Sequence, residues 1–299
     1  MIIVVGEVLY DVFDEYERMG GAPFNFAFHL KQLGLPVRLL TRVGDDERGL
    51  AIRRRLADNG FDLADVQVDA DHPTGTVRVR LDDKGVPRFD IRTDVAYDHL
   101  ALDGYTPEIG PSADMVYIGS LVQRTSRVFQ GMQRLMGTNR NGAEVFCDIN
   151  LRPPHYQDPT VAACLRYADI LKLNTDELNH IQTLYGGPAK GTADWLMERF
   201  GVHTLVLTHG AEGSTLYRGG REISAAPSGD GPVVDTVGAG DAYAAVVAAG
   251  FYHNCDLQQV VDLATRFAAF ICTLPGAVPD EPAVYLELRR KLEGRNHVR

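Results

Sequence analysis

The sequence predicts an α/β protein, with a central, mostly parallel sheet sandwiched by helices and a small β-strand appendage. Three observations carry that prediction. Short β-branched runs alternate with helical periods along the 299 residues, the pattern of strands joined by crossover helices. The runs IIVV, VRLLTRV, DMVYIG, EVFCDIN, DILKLN and TLVLTHG lack polar alternation, as strands covered on both faces do. Residues 75–92 behave differently: TVRVRL and RFDIR alternate polar with apolar around DDKGVP, which reads as an antiparallel hairpin with one wet face.

The elements follow in order. IIVV opens the chain as a buried strand, with no basic n-region and no apolar stretch long enough for secretion. FNFAFHLKQL reads as the first helix, VRLLTRV as the next strand and ERGLAIRRRLADN as a second helix. The hairpin at 75–92, inserted in a parallel α/β protein, is either a flap over a ligand or part of an oligomer interface. DMVYIG, EVFCDIN, DILKLN and TLVLTHG continue the sheet. Residues 242–252, AYAAVVAAGFY, are apolar almost all round and therefore form a buried helix. No internal repeat, low-complexity tract or Pro/Ser linker divides the chain, so residues 1–299 read as one domain.

Composition excludes several function classes. With 45% hydrophobic and 23% charged residues, the chain can bury a large core. A net charge of −10 argues against binding nucleic acid or an anionic membrane surface, since neither would attract it. The four cysteines, at 147, 164, 255 and 272, form no C-x-x-C pair or zinc-ligand spacing and read as reduced thiols of a cytoplasmic protein. No stretch approaches the ~18 apolar residues of a membrane span.

The segment VVDTVGAGDAYAAVVAAG, residues 233–250, carries the chemistry. A buried helix cannot leave its first amides unsatisfied. If Gly238, Ala239, Gly240 and Asp241 form its first turn, their N–H groups and the helix dipole create a site for negative charge that small residues leave open. A fixed anion beside Asp241 would be repelled. A transferring phosphoryl group, with its charge spread over three oxygens, could use the amides while Asp241 takes a proton from the attacking hydroxyl. A plain helix cap explains the same residues equally well at this stage. The sequence has neither a P-loop nor a dinucleotide fingerprint.

DTVGAGDAY (235–243) resembles the C-terminal signature of the ribokinase-like (PfkB) carbohydrate kinases, and GGAPFNFAFHLKQLG (20–34) their N-terminal one. GDDERG, DINLR, KLNTDE and THGAEG fall between them in order, so the resemblance covers almost the whole chain. It implies a ribokinase-like fold with a lid, formed here by about 10–22 and 70–95. It makes Asp241 the general base and the amides of Gly238, Ala239 and Gly240 the anion hole. Asp11, Gly21, Asn25, Arg92 and Arg152 would hold the sugar, with Gly20 and Gly21 as the hinge of the lid. Asn174, Thr208, Gly210, Gly213, Gly240, Gly276 and Ala277 would border ATP. Asn174 and Glu177, three apart on a first helical turn, match the family's N-x-x-E motif, with Glu177 holding Mg²⁺ through water. Asp235 and the Val237 carbonyl stand where many members bind potassium.

GEVLYD, GGAPFN and Arg92 look most like the bacterial fructokinase branch, implying transfer from ATP to a primary hydroxyl of D-fructose. DIRTDVAYDHL and the PPHY after DINLR depart from that branch, which keeps open a 2-keto-3-deoxygluconate or other sugar kinase. No apolar base pocket can be read in the lid, which disfavours a nucleoside. A sugar or nucleotide sensor without turnover is opposed by the intact GAGD turn, and a dehydrogenase by the missing fingerprint. The partners are small molecules, and the protein is either a monomer or a homodimer joined through the lid.

Overall fold

A computed structural model describes residues 1–81, 87–103, 113–138, 142–226, 231–279 and 282–294. The turn of the 75–92 hairpin, at 82–86, lies outside the described residues. In chain order the main sheet contains β1 (Ile2–Val5), β4 (Val37–Gly44), β5 (Val66–Asp69), β8 (Met115–Ile118), β9 (Glu144–Asp148), β10 (Ile170–Asn174), β11 (Thr204–Thr208), β12 (Ser214–Arg218) and β13 (Arg221–Ala225). Across the sheet they run β13-β12-β11-β10-β9-β8-β1-β4-β5. Every pairing from β5 to β11 is parallel, and β12 and β13 close one edge antiparallel. The six strand runs read from the sequence are all strands of this sheet.

Side-chain alternation explains why those runs show no polar period. Ile2 and Val4 enter one apolar cluster with Phe26, Val246 and Val260, while Ile3 and Val5 enter the opposite one with Val128, Val161 and Ile181. Both faces are covered, so both sets must be apolar. The first face holds α1 (Ala22–Gln32), α7 (Ala239–Tyr252) and α8 (Leu257–Ile271), and the second holds α3 (Ser126–Thr138), α4 (Asp158–Tyr167) and α5 (Thr175–Tyr185). Within α7, Asp241 to Gly250 are all buried, as its unbroken apolar sequence requires.

A second sheet has the order β3-β2-β6-β7, from β3 (Glu17–Gly20), β2 (Leu9–Val12), β6 (Gly75–Leu81) and β7 (Pro87–Ile91). Its β6–β7 pair is the antiparallel hairpin expected from the alternation. The connection from β2 to β6 is parallel, a long-range pairing with no local signal.

Strand order reverses beside β1. The chain leaves β1 for β4 and β5 on one side, then returns to β8 on the other and proceeds to β9, β10 and β11. In open α/β sheets such a reversal opens a crevice at the carboxyl ends of the strands.

Candidate active site

The crevice is a cleft lined from one side by the strand ends and from the other by the smaller sheet. Glu7 follows β1, Gly119 and Ser120 follow β8, Asp148 ends β9, Lys172 and Asn174 end β10, and Thr208 ends β11; all line it. Leu9, Val77, Phe89 and Ile91 of the smaller sheet face them. An apolar surface in the lid, which the sequence reading did not find, is therefore present. β6 and β7 each turn alternate residues to the cleft, so only their apolar set reaches it.

Two helix N-termini meet at the floor. Gly238 caps α7 at φ 78°, and a Cβ there would lie 2.2 Å from the Ala277 Cβ and 2.6 Å from its Cα, so both conformation and space demand glycine. Gly21 caps α1 at φ 109°, where a Cβ would lie 2.7 Å from the Glu7 carbonyl oxygen. These starts bring Asn25, in the first turn of α1, against Asp241, in the first turn of α7. The Asn25 Nδ2 donates to Asp241 Oδ2 at 2.8 Å. Asp241 thus spends its carboxylate on a residue 216 positions away and not on an amide of its own helix, which separates it from an ordinary cap.

Around this pair the cleft is rich in carboxylates. Burial, reinforced by the charge of Asp148 and opposed by the Asn25 bond, Lys172 and Arg152, pushes the Asp241 carboxyl up to about 6. Burial pushes Glu7 up to about 7, with Asp241 adding to it. Asp11 is raised to about 6 by burial and by Asp241. Lys172 donates to Asp148 Oδ2 at 2.8 Å. Burial alone would lower the Lys172 ammonium, but Asp148 holds it above its ordinary value. Four buried polar atoms in the lining have no hydrogen-bond partner: Glu7 Oε2, Asn25 Oδ1, Asp148 Oδ1 and the Tyr117 hydroxyl.

Of the residues named from the sequence, Asp11, Gly21, Asn25, Arg152, Asn174, Glu177, Thr208, Val237, Gly238, Gly240 and Asp241 line the cleft. Ala239 does not: its N–H turns back to the Thr236 carbonyl at 3.4 Å. Arg92 is not brought in. It lies one residue beyond β7, exposed, while its neighbour Ile91 faces the cleft, because successive side chains take opposite faces. Its carbonyl accepts from Arg124 Nη2 at 2.7 Å. Gly210, Gly213, Gly276 and Ala277 do not line the cleft, though Ala277 packs on Gly238, which does.

Two expected metal ligands are otherwise engaged. Glu177 accepts the Leu151 amide on Oε1 and the Asn174 amide on Oε2, each at 2.8 Å, while Asn174 Oδ1 accepts the Glu177 amide, a capping box for α5. Asp235 accepts the amides of Val237 at 3.0 Å and Gly276 at 3.2 Å and faces Arg18 Nη1 at 3.7 Å. Each Asp235 oxygen thus carries one amide, and its charge is met by a guanidinium.

The residues missed from the sequence are Glu7, Tyr117, Asp148 and Lys172. Lys172 carried a readable signal, since a lysine inside the apolar strand DILKLN must find a buried partner.

Residues 2–284 match the pfkB family carbohydrate kinases. The chain is 29% identical over 303 residues to a fructokinase of Escherichia coli, covering 93% of this chain and 95% of that protein. It is 28% identical over 283 residues to a 2-dehydro-3-deoxygluconokinase of Thermoproteus tenax, covering 92% of this chain and 85% of the relative. The crystal structure of a fructokinase with bound ATP from Xylella fastidiosa superposes with a TM-score of 0.79 at 22% identity, covering 97% of this chain and 98% of that one, a likeness of fold.

Proposed function

The chain belongs to the pfkB family of carbohydrate kinases, and from that premise we propose that it transfers the γ-phosphoryl group of ATP to the primary 6-hydroxyl of D-fructose. The observation that carries the substrate class is the set of unpartnered acceptors in the cleft. Glu7 Oε2, Asn25 Oδ1 and Asp148 Oδ1 each lack a donor, and a buried acceptor left unmade costs about 1–3 kcal/mol. A polyol supplies hydroxyl donors to all three without adding charge. A sugar acid would bring its carboxylate among Glu7, Asp11, Asp148 and Asp241, where Lys172 is already paired with Asp148 and exposed Arg152 is left to offset the rest. That balance favours a neutral ketose over 2-keto-3-deoxygluconate.

The mechanism uses few groups. Asp241 takes the proton of the attacking hydroxyl as its oxygen bonds to the γ-phosphorus and the bond to ADP breaks. The first-turn amides at Gly238 and Gly240 meet the charge on the phosphoryl oxygens. Magnesium, when bound, neutralises charge on the nucleotide phosphates. Glu177, through the lone pairs its two amide bonds leave free, would hold it by way of water.

The test is ADP release with ATP against ketoses, aldoses, sugar acids and nucleosides. Fructose is expected to give the highest kcat/KM and product NMR a 6-phosphate. A tenfold higher kcat/KM for a sugar acid defeats the assignment, and no ADP with any acceptor defeats the kinase reading. The apolar wall of Leu9, Val77, Phe89 and Ile91 favours a second reading, a riboside whose base lies on it. Preference for a nucleoside in the same panel would select it.

Two further outcomes are expected. A base must be deprotonated, so kcat/KM should rise with pH along an acid limb near 6, following Asp241. Asp11 and Glu7 titrate beside it, so the limb is a property of the group and broader than one ionisation. A pH–rate profile that is flat between 5 and about 7 would remove Asp241 as base. Arg92→Ala should leave the sugar KM within about twofold of wild type, because a residue outside the cleft supplies no uniform binding; a tenfold rise in KM would put Arg92 in the site.

A further inference from the structure

Away from the cleft, at the root of the β6–β7 hairpin, three ligand-type side chains converge. His72 lies just before β6, Asp94 just after β7, and His99 at the end of the short helical turn Ala96–His99. Asp94 Oδ1 is 3.1 Å from His99 Nε2 and 3.6 Å from His72 Nε2. The two imidazoles stack with ring centroids 3.5 Å apart. Donor atoms of all three residues lie within 4.8 Å of one another. Neighbouring ligands of a tetrahedral ion with bonds of 2.0–2.1 Å stand about 3.3 Å apart, so the two distances from Asp94 bracket that spacing.

Behind the cluster is a second layer that fixes its chemistry. His72 Nδ1 lies 3.1 Å from Asp69 Oδ1, and Asp69 Oδ2 accepts from Arg42 Nε at 2.7 Å. Asp69 is buried. Its Oδ1 also accepts the amides of Asp71 at 2.9 Å and His72 at 3.0 Å. With three N–H donors from Asp71, His72 and Arg42 already on it, this carboxylate meets the His72 ring at Nδ1, while Nε2 is the nitrogen turned toward Asp94. Arg42 Nη1 also donates to the His99 carbonyl at 3.2 Å, tying both histidine segments to one guanidinium. A carboxylate behind a histidine is the usual outer layer of a histidine–metal bond. Asp94 takes a left-handed backbone, φ 56°, a conformation aspartate tolerates better than most residues.

We propose that His72, Asp94 and His99 bind a first-row divalent transition metal, zinc foremost, which clasps the two roots of the hairpin that walls the cleft. Two imidazoles and one carboxylate suit zinc, cobalt or nickel and not magnesium or calcium. The ion enters beside Asp94, the imidazoles fan apart so that both Nε2 lone pairs converge, and water completes the coordination. Nothing in this rests on the kinase reaction.

The test uses untagged protein, stripped with chelator, without nucleotide or magnesium. Co²⁺ is followed by visible absorption and Zn²⁺ by calorimetry. One zinc per chain is expected, with affinity falling at least tenfold in His72→Ala and in His99→Ala. Asp69→Asn keeps all three ligands and should still weaken binding by about 10–100-fold. Metal-free melting curves establish that each variant is folded; His99→Gln, at a ring 27% exposed, serves if another is not. Zinc affinity unchanged in the His72→Ala/His99→Ala double variant places the ion elsewhere and overturns the site. Zinc should also slow amide exchange in β6 and β7 of the wild type; unchanged exchange overturns the clasp.

Discussion

Asp241→Asn is expected to lower kcat by roughly 10²–10⁴ while the protein still folds and binds both substrates. The geometry makes the substitution mild in every other respect. Asp241 Oδ2 accepts from Asn25 Nδ2 at 2.8 Å, and the amide oxygen of the variant can accept the same bond in the same shape. The change also removes a charge whose burial and whose neighbour Asp148 outweigh the attraction of Lys172 and Arg152, so the folded state loses no net stabilisation with it. The substituted amide cannot accept the hydroxyl proton. Melting temperature, sugar Kd by calorimetry and kcat measured together separate lost chemistry from lost fold. Retention of more than about a tenth of wild-type turnover by a folded, ligand-binding variant would end the general-base assignment.

Much of this was readable because it rests on local patterns. Six strand runs and the buried helix α7 follow from apolar periodicity, and the first-turn position of Asp241 follows from where that periodicity begins. The bond from Asn25 to Asp241 was not derivable from spacing alone, since it depends on two helices starting at the same crevice; the family resemblance put both residues in one site. Arg92 shows the opposite limit. Alternation in RFDIR sets Arg92 on the face opposite Phe89 and Ile91, but which of the two faces meets the cleft depends on how the hairpin lies over the main sheet, which the local pattern does not say. The parallel β2–β6 pairing, and with it the apolar wall over the cleft, depends on contacts between distant segments that leave no local trace. The same is true of His72, Asp94 and His99, which only the closing of the hairpin root brings together.

Lys172→Met is expected to destabilise the fold by about 3–5 kcal/mol, the cost of leaving one member of a buried ion pair without the other. Lys172 and Asp148 are 7% and 1% exposed, and Asp148 Oδ1 already lacks a protein partner. Removing the ammonium takes the 2.8 Å bond from Oδ2 as well. Methionine has nearly the length of lysine, so packing changes little and the loss reads the charge. The urea midpoint should fall with m unchanged. The double variant Lys172→Met/Asp148→Asn should recover most of the stability, since a buried pair replaced as a whole is often close to neutral. Catalysis shifts in a direction the charges fix. Lys172 lowers the pKa of Asp241 and Asp148 raises it. In the single variant the raising charge of Asp148 stays while the lowering charge of Lys172 is gone, so the acid limb of kcat/KM moves to higher pH. In the double variant both are gone and the limb returns toward its original position. A single variant losing less than about 1 kcal/mol would mean that water reaches the pair and screens it as at a surface; a limb that does not move would uncouple Lys172 from Asp241.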